Sequence, residues 1–185
     1  MKTRIVEVIL SCAVAAAVAL AGEVAGVRMP DTITVEGKTL KLNGMGLRKK
    51  VMFKVYVAGL YLENKSNAPL MVVSSEQVKQ MQLHVLRSLK AAQVTEAIEE
   101  GFEKNSKAQI GALKERLGKF SALFSDVKEG DQILMTYVPG KGTSVSIKGE
   151  EKGVVEGKDF ADALFSVWLG GNPVQEDLKK ALLGS

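Results

Sequence analysis

Reactive side chains are scarce in this chain of 185 residues, which has one cysteine, one histidine and one tryptophan. The cysteine, Cys12, sits within the uncharged run Val8–Leu20, which follows a positive start at Lys2 and Arg4. Ala19-Leu20-Ala21 then supplies the small-x-small pattern that signal peptidase reads, so residues 1–21 are expected to be a cleavable signal peptide, with the mature chain starting at Gly22. As a transmembrane anchor the run falls short of the ~20 residues that span a bilayer. A lipobox would need its apolar run before Cys12, whereas most of it lies after. Export and cleavage would leave residues 22–185 without a cysteine, hence without disulfides, thiol nucleophiles or thiolate ligands. The lone His84 lies in a strand pattern, with no second histidine to build a zinc site, and is read as a strand residue. Nothing in the residues calls for a metal or a cofactor.

Concentrated positive charge is also missing. The chain carries a net charge of +4, of which the leader contributes +1 through Lys2 and Arg4 against Glu7. The remaining charges are mixed in sign, and the one basic triplet, Arg48-Lys49-Lys50, is too short for a nucleic-acid footprint. No nucleic-acid partner is expected, nor any stable membrane span after cleavage.

What is present is alternation and helical periodicity in separate blocks. Thr32–Val35 and Lys38–Leu42 alternate around Glu36-Gly37 as a hairpin. Asn43-Gly44-Met45-Gly46 reads as a tight turn, since it lacks the third glycine and following helix of a phosphate loop. Val51–Leu62 reads as a central strand, apolar on both faces, and Val78–Leu89 as another. Asn64–Pro69 is a turn-rich link. Val94, Ile98 and Phe102, then Ile110, Leu113, Leu117, Phe120 and Phe124, step by three and four as two helices meeting near Asn105-Ser106. Strands return around Ile133–Val138, Thr143–Ile147 and Val154-Val155. Helices close the chain at Asp159–Leu169 and from Pro173 to Leu183. This order predicts an α+β fold with an antiparallel sheet covered on one face by helices, with no repeat and no linker.

Two residues stand out as candidates. Arg48 lies at the mouth of the most apolar strand, and arginine is the preferred anchor for a carboxylate. Tyr56 lies within that strand, where a buried phenol needs a hydrogen-bond partner. From the pattern alone, a salt-bridging Arg48 and a core-filling Tyr56 are the simpler explanation.

Gly44-x-Gly46-x-Arg48 followed by Phe53-Lys54-Val55-Tyr56-Val57-Ala58-Gly59-Leu60-Tyr61-Leu62 resembles the opening signature of the chalcone-isomerase-like family. The likeness continues through Leu83–Arg87, Gly130-Asp131, Asp159–Leu164, Trp168-Leu169-Gly170 and Pro173…Leu182, from about Asp31 to Leu183. It implies a large antiparallel sheet with a helix layer on one face and a ligand cleft between them. Members of that superfamily either cyclise chalcones or bind a fatty acid without chemistry. Arg48 matches the family's arginine, and Tyr56 falls where isomerases carry threonine and fatty-acid binders tyrosine. Val167 replaces a small hydroxyl residue of the isomerases, and Lys90–Ala97 lacks their helical Tyr/Asn pair. The resemblance therefore implies a non-catalytic binder of a fatty acid or similar amphipathic carboxylate, with Arg48 and Tyr56 on the head group, and the leader makes it exported and periplasmic. An isomerase-type intramolecular lyase is the alternative, and a structural protein with a closed cleft the third reading.

Overall fold

A computed structural model describes residues 20–184. The candidate leader, Met1–Ala21, lies almost wholly outside the described residues. Strands β3 (Thr32–Val35), β4 (Lys38–Lys50), β5 (Phe53–Leu62), β6 (Lys79–Val85), β7 (Gln132–Val138), β8 (Gly142–Ile147) and β9 (Glu150–Val155) form one seven-stranded antiparallel sheet in sequence order. A separate hairpin, β1 (Leu20–Val24) with β2 (Val27–Pro30), precedes it. The helices are α1 (Pro69–Ser74), α2 (Ala91–Asn105), α3 (Ile110–Ser121), α4 (Lys158–Leu169) and α5 (Glu176–Leu182). The α+β architecture matches the sequence expectation, and none of the described helices is long and apolar enough to cross a membrane.

The two apolar faces of β5 explain where the core sits. Ala58, Leu60 and Leu62 pack with Met81 and Met135 against the helices. There Phe102 of α2, Phe120 of α3 and Phe160 of α4 meet with ring centroids 5.3 Å apart in both pairs that Phe160 makes. Val57 and Tyr61 face the other way into a smaller cluster with Met29, Leu40 and Leu42. Here the β1–β2 hairpin is the cover: Tyr61 donates its hydroxyl to the Pro30 carbonyl at 2.9 Å. Gly59 leaves room for the Met29 sulfur, which would lie 2.3 Å from an added Cβ. Helices thus cover one face of the sheet, and a hairpin covers part of the other.

Four local expectations are corrected. Asn43–Gly46 is not a turn but the middle of β4, whose register slips between Leu42 and Gly44. Its glycines are required by a close approach: a Cβ on Gly44 would lie 2.1 Å from the Ala181 carbonyl oxygen, and one on Gly46 2.7 Å from the Ala181 Cβ. Val51 and Met52 form the tip between β4 and β5 rather than the start of a strand. The link after Leu62 includes the short helix α1, begun by Pro69 at its first position, where the missing N–H costs nothing. The last helix begins at Glu176, three residues beyond Pro173.

His84 pairs with Val57 and Gln132 on the sheet face turned away from the large helical core, as an ordinary half-buried strand residue. Lys79, unremarkable in the sequence, is fully buried. Its ammonium donates to the carbonyls of Val72, Val73 and Ser75 at 3.1, 2.5 and 3.3 Å, closing the C-terminal end of α1. It also lies 5.1 Å from the ring centroid of Phe165 and 3.9 Å from Asp162. Burial pushes its pKa down to about 8, partly offset by the Asp162 carboxylate.

Candidate functional site

Arg48 and Tyr56 come together because β4 and β5 are adjacent and antiparallel. They are direct partners in the register, two strand residues short of the hairpin tip on the β4 side. Alternation puts Tyr56 on the same face as Ala58 and Leu60, toward the helices. Beside the pair opens a cavity of about 540 Å³ between sheet and helices. This is within the usual range for small-molecule sites. Leu83, Val85 and Ile133 supply its sheet wall, and Val94, Ile98 and Val167 its helical wall. Arg48, Lys50, Arg87, Glu96, Glu100 and Lys104 are the charged residues that border it.

The Tyr56 hydroxyl accepts a hydrogen bond from the indole Nε1–H of the buried Trp168 at 3.0 Å. That bond uses an oxygen lone pair and leaves the phenolic O–H able to donate. Burial raises the Tyr56 pKa, while the Trp168 hydrogen bond and the nearby Arg48 charge pull it partly back. Tyr56 is therefore a neutral donor throughout the physiological range. Arg48 makes no ion pair among the described residues, so the simple salt-bridge explanation for it does not hold. One guanidinium nitrogen, Nη1, donates to the Lys49 carbonyl at 2.5 Å and the Gln175 side chain at 3.3 Å. Gln175 in turn accepts from the Lys49 N–H at 2.9 Å and donates to the Leu47 carbonyl at 3.2 Å. It clamps the end of β4 and fixes the arginine's approach. Nε and Nη2 remain the donors that a planar carboxylate would meet.

The helical wall is aliphatic at Val94, Ala97, Ile98 and Val167 and charged toward its rim at Glu96, Glu100 and Lys104. Val167 touches Gly101, where an added Cβ would lie 2.7 and 2.8 Å from its methyl carbons, so the two helices cross closely with no hydroxyl between them. In the segment Lys90–Ala97, Gln93 is the one uncharged amide at the cavity, and its Oε1 accepts the Lys90 N–H at 2.9 Å. Sequence reasoning named Arg48 and Tyr56 but missed Trp168 and Gln175, the groups that orient them. Both are separated from their partners by more than 100 residues, as |i−j| values of 112 and 127 record, and no local pattern joins them.

The sequence matches the profile of the chalcone isomerase-like family over residues 21–184, and the chain belongs to that family. Among solved structures it is similar to an Arabidopsis thaliana fatty-acid binding protein, with a TM-score of 0.71 and 21% identity. The similarity covers 85% of this chain and 92% of that one. No curated protein sequence matches.

Proposed function

We propose that this protein is an exported, non-catalytic binder of a fatty acid or a similar amphipathic carboxylate. The observation that carries the reading is the Arg48–Tyr56 pair, with donors left over, beside the aliphatic walls made by Leu83, Val85, Ile133, Val94, Ile98 and Val167. An apolar tail gains roughly 0.8 kcal/mol for each methylene buried, less the ordering cost of association. The carboxylate needs a partner there, because an unpaired anion beside apolar walls is expensive. Arg48 offers the charge and the fork, Tyr56 a neutral donor, and Trp168 and Gln175 hold both in place. The structurally similar Arabidopsis protein is a fatty-acid binding protein, which supports this ligand class.

Affinity measured for a long-chain fatty acid and its methyl ester, on wild type and Arg48→Ala, tests the reading. A charged hydrogen bond contributes about 1.5–3 kcal/mol, so the acid is expected to lose about ten- to a hundredfold on Arg48→Ala. The ester, weaker on wild type, loses much less. Equal losses for acid and ester would make Arg48 structural and end the carboxylate reading.

Export is part of the proposal, carried by Lys2, Arg4, the apolar run and Ala19-x-Ala21. A cut before Gly22 removes two residues of β1 and keeps the pairs Gly22↔Met29, Glu23↔Arg28 and Val24↔Val27. N-terminal sequencing of the protein from its own host is expected to read from Gly22. A start at Met1 in an envelope fraction would mean that the segment is kept as an anchor.

A further inference from the structure

The tip of the β4–β5 hairpin breaks three local rules at once. Lys50 pairs with Phe53, so Val51 and Met52 form a two-residue connection. Val51 adopts a φ of 56°, at the position where such hairpins favour glycine or asparagine and where a β-branched residue is strained. Val51, Met52 and Phe53 are 89%, 90% and 59% exposed, so the strain gains no burial. Just behind them Lys49 and Lys54 stand directly opposite each other, a like-charge pair that destabilises a hairpin. Between Gly37 and Leu62 there are six cations and no acid. The acids that border the cavity, Glu96 and Glu100, belong to α2. Arg87 reinforces the cationic side, stacked with its guanidinium carbon 4.6 Å from the centre of the Phe53 ring.

We propose that this tip is a membrane-contact element: Val51 and Met52 enter the interface of an anionic bilayer while Lys49, Lys50, Lys54 and Arg87 meet its headgroups. Three side chains on a narrow turn are too little for a stable protein interface, which buries about 1,200 Å² or more. They do match the layered chemistry of a lipid surface, apolar below and anionic above. Val51, Phe53 and Arg87 also line the cavity, so contact at the tip sets its opening against the bilayer. Delivery of a lipid ligand through that contact rests on the proposed function, whereas the contact itself does not.

The test is flotation of the ligand-free protein with vesicles of phosphatidylcholine alone or mixed with phosphatidylglycerol. Wild type is expected to float with the anionic vesicles only, less so as salt is raised. Each lysine near the surface contributes about fivefold, so Lys54→Ser should weaken partition about fivefold. Met52→Asp should abolish flotation. Neither Lys54 nor Met52 lines the cavity, so fatty-acid affinity in solution should be unchanged in both variants. Wild type that ignores anionic vesicles, or Met52→Asp that floats as well as wild type, overturns the proposal. Vesicle binding without fatty-acid binding would sink the ligand reading alone, and the reverse would sink this inference alone.

Discussion

At the scale of single residues, the buried Lys79 makes the clearest quantitative claim. Its pKa of about 8 in the folded protein lies below the ordinary 10.5, so the native state resists the charge. Between those values the unfolded chain holds the extra proton, and stability from this group rises with pH across the window. Below pH 8 the penalty is fully present. The gain is on the order of 3 kcal/mol at most, since each pKa unit corresponds to about 1.4 kcal/mol. Urea unfolding from pH 7.5 to 9.5 should therefore show wild type gaining on Lys79→Met. The variant itself is destabilised throughout, because three carbonyls at the end of α1 lose their donor. The scan stops short of pH 10 because burial raises Tyr61 to about 12 and Tyr137 further, and raised tyrosines cost stability once the unfolded phenols ionise. Parallel pH profiles for the two proteins would mean that Lys79 titrates normally. Nothing in the sequence announced this residue. A lysine one place into an alternating strand looks like an edge charge, and only the arrival of α1 and α4 over it makes it internal.

At the scale of elements, strands and helices were legible where the pattern was local. The alternation in β7 and β8 and the three-four stepping of α2 and α3 depend on neighbours in the chain, and these elements stand where the periodicity puts them. Gly44-Met45-Gly46 misled because its glycines answer to a helix more than 130 residues away. The same residues that signal a turn are needed wherever two backbones touch. That difference is measurable. Gly44→Ala forces a side chain into carbonyl oxygens of α5, which cannot rotate aside, and should cost about 3 kcal/mol, at the upper end of overpacking effects. Gly118→Ala lies within α3 with nothing within 4 Å of the new carbon, and should instead stabilise by about 0.5–1 kcal/mol. Thermal unfolding of the two variants should move in opposite directions. A Gly44→Ala protein as stable as wild type would show that β4 and α5 do not meet as described. The site was legible to the same degree: Arg48 and Tyr56 share a short stretch of chain, whereas their supports come from α4 and the segment before α5.

At the scale of the whole molecule, the family's fold places Arg48 and Tyr56 beside aliphatic walls from both the sheet and the helices. The resemblance sets Tyr56 where isomerases carry threonine and Val167, which packs on Gly101, where they carry a hydroxyl. Acid–base and positioning groups typically contribute about 10²-fold or more each. The purified protein is accordingly expected to leave the closure of a chalcone to a flavanone at its solution rate, followed by the loss of chalcone absorbance. Turnover well above that rate and lost in Arg48→Ala would reverse the assignment to a binder.

The C-terminal helix carries a consequence in time rather than in space. Asn43 donates to the Leu182 carbonyl at 2.8 Å, α5 lies against Gly44 and Gly46, and Gln175 holds the strand end that bears Arg48. Contacts separated by more than 120 residues form late, because a long loop must close before they yield anything. A chain emerging from a ribosome or a translocation pore would have its sheet strands before the last dozen residues that brace β4. Arg48 would be braced only once Gln175 and α5 had followed. On the proposed reading, a carboxylate ligand would be gripped only after that segment had docked on β4.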